Sequence, residues 1–164
     1  MLILSLLGFI KSGNGQTLTK SKDIIISLYS SFNERDFPTF YSKFNDSVLV
    51  HFSNNQTFNI SPNQIKKSID QQLKAFPRMK DTILQINAEN DWVTICVKHA
   101  GTNEDSLWGI PPTQKYVDYN VIEMYRIKNS KIAEVYVVED FLSMYQQMGI
   151  IPKRLADLLK TPEK

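Results

Sequence analysis

The sequence predicts an α+β protein, because helical patterns come first along the chain and strand patterns follow them. From Thr82 onward, the spacing of apolar residues changes from about four to two, and the runs become rich in Val, Ile and Tyr. The 164 residues suit one domain with one core. No glycine-rich phosphate loop follows any of the predicted strands, which gives nucleotide binding no support.

The first half of the chain predicts three helices and one strand. A stripe of apolar residues on one helical face predicts a helix over about 21–34; it consists of Ile25, Leu28, Tyr29 and Phe32. Residues 37–44 predict a short second helix, and residues 47–52 a first strand. Ser61-Pro62 is typical of a helix start, and apolar residues then recur every four positions until a helix end near Pro77.

The second half predicts a sheet followed by a short helix. Four β-rich runs follow one another at 82–89, 91–100, 115–128 and 131–139. Residues 89–91 and Asn129-Ser130 have the composition of hairpin turns. Helical spacing resumes over 142–148 and ends at Gly149, a residue type favoured just after a helix.

The two ends of the chain predict segments outside this domain, which we place at 20–150. The apolar run MLILSLLGFI has the length of a signal-peptide core, so residues 1–16 read as a leader that could be cleaved before Gln16. No basic residue precedes the run, and a packed helical turn is the alternative. Residues 151–164 predict a short helix and a polar tail. The protein is expected to be periplasmic or secreted if the leader is removed, and cytoplasmic otherwise.

Composition excludes several classes of function. Nineteen Lys and Arg against 17 Asp and Glu leave a net charge of +2, with the basic residues scattered, so we expect no nucleic-acid partner. The apolar leader is shorter than the roughly 20 residues of a membrane span, so none is expected. Cys96 is the single cysteine and is expected to be a buried thiol. The two histidines, His51 and His99, lie in no ligand pattern, so we predict no metal.

Four blocks in the C-terminal half form a pattern. They are His99-Ala100-Gly101, Gly109-Ile110-Pro111-Pro112-Thr113, residues 131–140 (KIAEVYVVED) and Gln146-Gln147-Met148-Gly149. In this order they resemble the SnoaL-like polyketide cyclases of the NTF2-like superfamily, whose pattern is HxG, GxPPTGK, GKIxExWxxxD and QQLG. The departures from it are a longer loop between Gly101 and Gly109, Gln114 for a glycine, Asn129-Ser130 for Asp-Gly, and Tyr136 for a tryptophan.

The resemblance implies a fold and an activity. The fold is an NTF2-like cone, in which N-terminal helices wrap a curved, mostly antiparallel sheet around a central pocket for a small apolar ligand. Homodimers are common in such proteins. In the cyclases, an aspartate at the position of Asp140 removes a carbon-bound proton without any cofactor, and the enolate then attacks a second carbonyl. His99 matches the residue that would hydrogen-bond the oxygen gathering charge.

Further side chains are candidates for contacts with a ligand. Tyr119 and Tyr136 could act as hydrogen-bond donors or as aromatic walls. Trp108 lies in the lengthened loop and could fold over the pocket as a lid. Strict alternation along the last strand places Asp140 on one face with Ile132, Glu134, Tyr136 and Val138, and we expect that face to be concave. A poorly hydrated carboxylate there would be a usable general base.

Alternative interpretations remain open from the residues alone. Asp140 precedes an apolar helical stretch and could simply cap it. Glu134 could form a salt bridge with Arg126 on the neighbouring strand. The chain could also be a non-catalytic protein that binds an apolar metabolite. An epoxide hydrolase on the same fold would need an Asp-Arg-Asp set, for which only Arg126 and Asp140 are evident.

Overall fold

The computed structural model describes residues 13–152. The helices in this part are α1 (Gly13–Glu34), α2 (Phe37–Ser42), α3 (Pro62–Ala75) and α4 (Phe141–Met148). The strands are β1 (Phe44–Phe52), β2 (Thr57–Ile60), β3 (Lys80–Glu89), β4 (Trp92–Thr102), β5 (Tyr116–Lys128) and β6 (Lys131–Glu139). Residues 1–12, with most of the predicted leader, and 153–164, with the predicted final helix, lie outside the described part.

The six strands form one curved, unclosed sheet in the order β2-β1-β6-β5-β4-β3. The pairing of β1 with β6 is parallel and the other pairings are antiparallel. Helix α1 packs on β3 and β4, α3 on β1, and α4 on β5. This arrangement confirms the predicted α+β class. None of the helices in the described part is long and apolar enough to cross a membrane.

Local sequence explains where the helices begin and end. The Gln64 side chain accepts the Ser61 N–H at 2.8 Å, and Pro62 occupies the first turn of α3, where its missing N–H costs nothing. The Asp140 carboxylate accepts the Ser143 N–H at 3.0 Å and caps α4. Helix α4 ends at Gly149, whose φ of 78° suits a residue without a Cβ.

The predicted hairpin turns lie where the sequence places them. Asn129 and Ser130 have φ values of 52° and 61°, so both central residues of the β5–β6 turn are left-handed, as a twisted two-residue hairpin requires. Asn90, with φ 54°, turns β3 into β4. The short edge strand β2 escaped prediction, since its four residues, TFNI, are too few for a periodic pattern.

A β-bulge in β6 overturns the predicted faces of that strand. Ile127 pairs with Ile132 and Arg126 with Glu134, so Ala133 has no partner of its own on β5. One extra residue reverses the alternation for every position that follows. The odd-numbered residues Val135, Val137 and Glu139 therefore line the concave side, and the even-numbered residues, with Asp140 beyond them, do not. The prediction of a concave Asp140 was wrong for this reason.

Strand β4 keeps the regular alternation along its whole length. Its buried residues are Val93, Ile95, Val97, His99 and Gly101. Cys96 lies on the opposite face and is half-buried, so the expectation of a buried thiol was wrong. Gly101 is required near the end of this strand, because a Cβ there would lie 3.2 Å from the Met79 Cα.

Candidate functional site

A cavity of about 690 Å³ lies between the concave face of the sheet and the helices. Helix α1 contributes Leu28, Tyr29 and Phe32 to its wall, and α3 contributes Ile65 and Ile69. The wall is mainly apolar and aromatic, with polar side chains from β3, β4, β5, β6, α3 and the turn between β1 and β2. Such a cavity has the size and lining of a small-molecule site.

His99 and Asp81 form a buried pair on this wall. They face each other across β3 and β4, and the His99 Nδ1–H donates to Asp81 Oδ1 at 2.5 Å. Burial by itself lowers the pKa of His99. The hydrogen bond to Asp81 and the nearby carboxylates outweigh burial, so the net pKa is raised. Nε2 makes no hydrogen bond within residues 13–152 and remains available to a ligand.

The amide of Asn33 on α1 fixes the backbone of Asp81. Its Nδ2 donates to the Asp81 carbonyl and its Oδ1 accepts the Asp81 N–H, both at 2.8 Å. This two-point contact holds the start of β3 against α1. The carboxylate that orients His99 therefore has a fixed backbone beneath it.

A second polar cluster is built around Glu123 on β5. The hydroxyls of Tyr29 and Tyr125 both donate to Glu123 Oε2, the latter at 2.7 Å, and the two hydroxyls lie 3.0 Å apart. Burial raises the pKa of Glu123 against the lowering effect of these hydrogen bonds. Burial also raises the pKa of each tyrosine, so both phenols keep their protons.

Glu139 is the third carboxyl group that lines the cavity. It follows the bulge in β6 and pairs with Val121 on β5. Burial raises its pKa to about 7, with the charge of His99 acting in the opposite direction and that of Glu123 adding to the increase. A carboxylate with this pKa can exchange a proton near neutral pH.

Tyr119 and Trp108 both line the cavity. Tyr119 is buried, faces His99 across β4 and β5, and its ring lies 5.6 Å from the imidazole. Burial raises the pKa of the Tyr119 phenol, so it is a donor at neutral pH. Trp108 is 62% exposed at the tip of a tight turn with Gly109, and its ring is nearly perpendicular to that of Phe141, with the two ring centroids 5.4 Å apart. Trp108 thus stands beside the cavity that it helps to line.

Comparison with known proteins identifies the family. The family model described as SnoaL-like polyketide cyclase matches residues 23–148. The chain belongs to the SnoaL-like polyketide cyclase family. None of the curated proteins matches the sequence significantly.

Solved structures of the same fold are similar to this SnoaL-like chain. AclR from Streptomyces galilaeus, which carries the name of a hydroxylase, aligns with a TM-score of 0.74 at 20% identity, over 87% of this chain and 88% of that one. IdmH from Streptomyces antibioticus, which carries the name of a polyketide cyclase, aligns with a TM-score of 0.69 at 22% identity, over 79% of this chain and 98% of that one. A protein from Jannaschia sp. CCS1, named as a SnoaL-like polyketide cyclase, aligns with a TM-score of 0.73 at 16% identity, over 82% of this chain and 94% of that one. These likenesses establish the NTF2-like fold.

Two residues that the sequence places in the site of this SnoaL-like protein lie outside the cavity. Asp140 is exposed and is bonded to the first turn of α4, so the cap interpretation describes its position. Tyr136 is 40% exposed on the outer face, where its ring stacks on His51 at 4.0 Å. The reason in both cases is the bulge at Ala133.

Arg126 also lies on the outer face. Its Nε bonds Asp91 Oδ2 at 2.7 Å, and its Nη1 lies 3.4 Å from Glu134 Oε2, which confirms the predicted cross-strand pair. It cannot supply the cationic member of an Asp-Arg-Asp set in the cavity. Within residues 13–152, no group of three or more His, Cys, Asp or Glu side chains is arranged to hold a metal ion.

Of the residues suggested by the sequence, His99, Tyr119 and Trp108 line the cavity, whereas its carboxyl groups, Asp81, Glu123 and Glu139, were not predicted. Glu123 carried a signal, because it is the one charged residue on the face of β5 that otherwise holds Val117, Tyr119, Val121 and Tyr125. Predicting Asp81 would have required the register of β3 with β4, because that register places Asp81 opposite His99. Predicting that Glu139 lines the cavity would have required knowledge of the bulge, and the sequence around Ala133 gives no distinctive sign of it.

Proposed function

We propose that this chain is a cofactor-free cyclase or isomerase that acts on a small apolar carbonyl compound, with Glu139 as its general base. The observation that carries the proposal is a carboxyl group with a pKa of about 7 in the same cavity as the His99–Asp81 pair. Membership of the SnoaL-like family supports the reaction class. Glu139 takes the role for which the sequence suggested its neighbour Asp140.

The chemistry requires a base that removes and later returns one proton, and donors that stabilise the oxygen on which negative charge gathers. The Glu139 carboxylate removes a proton from the carbon next to a carbonyl, and the electron pair of that C–H bond moves onto the carbonyl oxygen as an enolate. The His99 Nε2–H and the Tyr119 hydroxyl can donate to that oxygen. The enolate carbon then attacks a second carbonyl of the same molecule, and the oxygen of that carbonyl takes up the proton from Glu139 as its π bond breaks. In an isomerase, Glu139 instead returns the proton to a different carbon of the enolate.

The raised pKa of His99 separates its role from that of Glu139. The raised pKa favours the protonated imidazole, in which Nδ1–H bonds Asp81 and Nε2–H is free to donate to a ligand. Glu139 has no hydrogen bond from a side chain within residues 13–152, so its carboxylate is not already engaged by a donor there. Glu139 as the base and His99 as the acid therefore have distinct environments.

The test uses two adjacent carboxylates, of which Glu139 lines the cavity and Asp140 lies outside it. Exchange of the acidic C–H protons of β-tetralone for deuterium in heavy water, followed by proton NMR, measures proton abstraction next to a carbonyl. Glu139→Gln should lower the enzymatic exchange rate by about 100-fold or more, the size of a general-base contribution. Asp140→Asn keeps the cap and should exchange at the wild-type rate.

The opposite pattern, with Asp140→Asn inactive and Glu139→Gln active, would assign the role of general base to Asp140 and overturn the proposal for Glu139. If wild type and Glu139→Gln bind β-tetralone with equal affinity and neither exchanges it above the buffer rate, the chain is a binding protein, the alternative that the sequence left open. Quenching of tryptophan fluorescence, to which Trp108 at the cavity contributes, measures that binding.

A further inference from the structure

Glu123 is a carboxyl group that lines the cavity but takes no part in the proposed proton transfers. The proposed aldol closure yields a β-hydroxy carbonyl compound, and loss of water from such a compound gives a conjugated product. We infer that the same cavity also catalyses this dehydration, with Glu123 as the general acid that protonates the departing hydroxyl group. The inference rests on the proposed function, because it uses Glu139 as the base.

The register of the strands places a base between two possible proton donors. Tyr119, Val121 and Glu123 follow one another on the concave face of β5. Glu139 on β6 pairs with Val121, the middle residue of the three. Tyr119 and Glu123 are therefore its two diagonal neighbours, and diagonal neighbours in an antiparallel pair lie about 7–8 Å apart. His99 pairs with Tyr119 from the other side, on β4.

This order matches the order of atoms in a β-hydroxy carbonyl compound. The carbonyl oxygen can accept from His99 and Tyr119, and the next carbon holds the proton that Glu139 removes. The hydroxyl group on the following carbon then lies towards Glu123. The groups are also close enough to influence one another, since the carboxylates of Glu123 and Glu139 both raise the pKa of His99. One small molecule can therefore contact all four side chains.

Two tyrosines suit Glu123 to the role of an acid. The phenols of Tyr29 and Tyr125 both donate to Oε2, and Oε1 makes no hydrogen bond within residues 13–152. In the neutral carboxyl group the proton therefore lies on Oε1, since Oε2 already accepts two hydrogens. Burial favours that neutral form by raising the pKa of Glu123. Once the proton has left, the same two phenols stabilise the carboxylate that remains.

The dehydration moves two protons and releases one water molecule. The Glu139 carboxylate takes a hydrogen from the carbon between the carbonyl and the hydroxyl-bearing carbon, and the electron pair of that C–H bond becomes the new C=C bond through the enolate. The C–O bond breaks with its electron pair on oxygen, which takes the Glu123 proton and leaves as water. Glu139 is then protonated and Glu123 ionised, and the released water can carry the proton back.

The reaction can be measured on 4-hydroxy-4-phenylbutan-2-one, a small uncharged β-hydroxy ketone. Reversed-phase chromatography separates its dehydration product, 4-phenylbut-3-en-2-one, from benzaldehyde, which aldol cleavage would give. The wild-type protein should form the enone at least about tenfold faster than buffer at pH 7. Exchange of β-tetralone without formation of the enone would overturn this inference alone, and so would benzaldehyde as the sole product. Absence of both exchange and dehydration would contradict the proposed function as well.

Glu123→Gln tests the assignment of the acid. The amide keeps the shape of the side chain but has no acid proton, so dehydration should fall by about 100-fold or more. Exchange of β-tetralone should fall at least about tenfold less than dehydration, because exchange requires no leaving group. Glu89→Gln, at an exposed position at the end of β3, is the matched control and should keep both rates. Undiminished dehydration by Glu123→Gln, or an equal loss of both reactions, would overturn the assignment.

Tyr125→Phe tests the same acid without changing it, and it decides the question if circular dichroism shows Glu123→Gln to be unfolded. The variant loses one of the two donors to the Glu123 carboxylate and should slow dehydration by about tenfold. Tyr116→Phe, at a position on the same strand that is 63% exposed, is the control and should dehydrate at the wild-type rate. Equal dehydration rates in the two variants would overturn the role of Glu123 as the acid.

Discussion

Glu139, on which the proposed mechanism depends, has no distinctive signal in the sequence. It stands next to Asp140, and both are acidic residues at the end of the same strand. The backbone places one in an apolar cavity and the other at an exposed helix cap. Their chemistry differs because their hydration differs.

The environment of Glu139 predicts a pH-dependent effect on stability. Its pKa rises on folding from an ordinary 4.5 to about 7, so between these values the unfolded chain has released a proton that the native protein still holds. The native state binds more protons, and the free energy of unfolding must therefore fall as pH rises through this window. The full effect is roughly 3 kcal/mol as an upper bound.

Glu139→Gln should remove this penalty, because the amide does not ionise. We expect the variant to match wild type in urea unfolding at pH 4 and to exceed it by up to about 3 kcal/mol at pH 8. Asp140→Asn is the matched control and should show no such divergence between the two pH values. A constant difference between Glu139→Gln and wild type across the range would contradict the buried position of this carboxyl group.

Among the secondary-structure elements, those with local signals could be predicted and those set by strand pairing could not. Ser61-Pro62, Asn129-Ser130 and Gly149 mark ends and turns through their own backbone preferences, and the structure has them there. The bulge at Ala133 arises between β5 and β6, and nothing in β6 alone reveals it. A single unpredicted residue therefore decided which carboxyl group enters the site.

The loop between β4 and β5 depends on one buried amide, Asn103. Its Nδ2 donates to the Asp105 carbonyl at 2.8 Å, and its Oδ1 accepts from the Thr113 N–H at 2.8 Å and from the Thr113 hydroxyl at 3.0 Å. The side chain is fully buried. Asn103 thereby ties together both ends of the segment that presents Trp108 beside the cavity.

Asn103→Ala should destabilise the protein by about 2–3 kcal/mol, because it leaves buried backbone groups without partners. Asn87→Ala, at an exposed position on β3, is the control and should change stability by no more than about 0.5 kcal/mol. Urea denaturation followed by tryptophan fluorescence measures both. Equal stability of the two variants would mean that the loop does not depend on this amide.

For the whole molecule, the resemblance to the family implied both a hollow sheet and a homodimer. The concave side of the sheet encloses the cavity, and the outer side of β5 and β6 carries apolar side chains that are exposed in the described part of the chain. They form two adjacent cross-strand pairs, Ile122 with Val138 and Met124 with Tyr136, each residue 40–54% exposed. A contiguous apolar group on a sheet face is unusual for a surface that only water contacts.

We expect a second copy of the chain to cover this outer apolar patch, as the resemblance predicts. A two-fold interface would place the patch against itself, so one substitution changes both sides of the contact. Met124→Glu should convert a dimer into a monomer in sedimentation velocity, since it buries an unpaired charge twice. Asn63→Glu, at an exposed position in the first turn of α3, adds the same charge elsewhere and should leave the dimer intact. A wild-type protein that sediments as a monomer at about 100 µM would contradict the dimer, and a Met124→Glu dimer would place its interface on another surface.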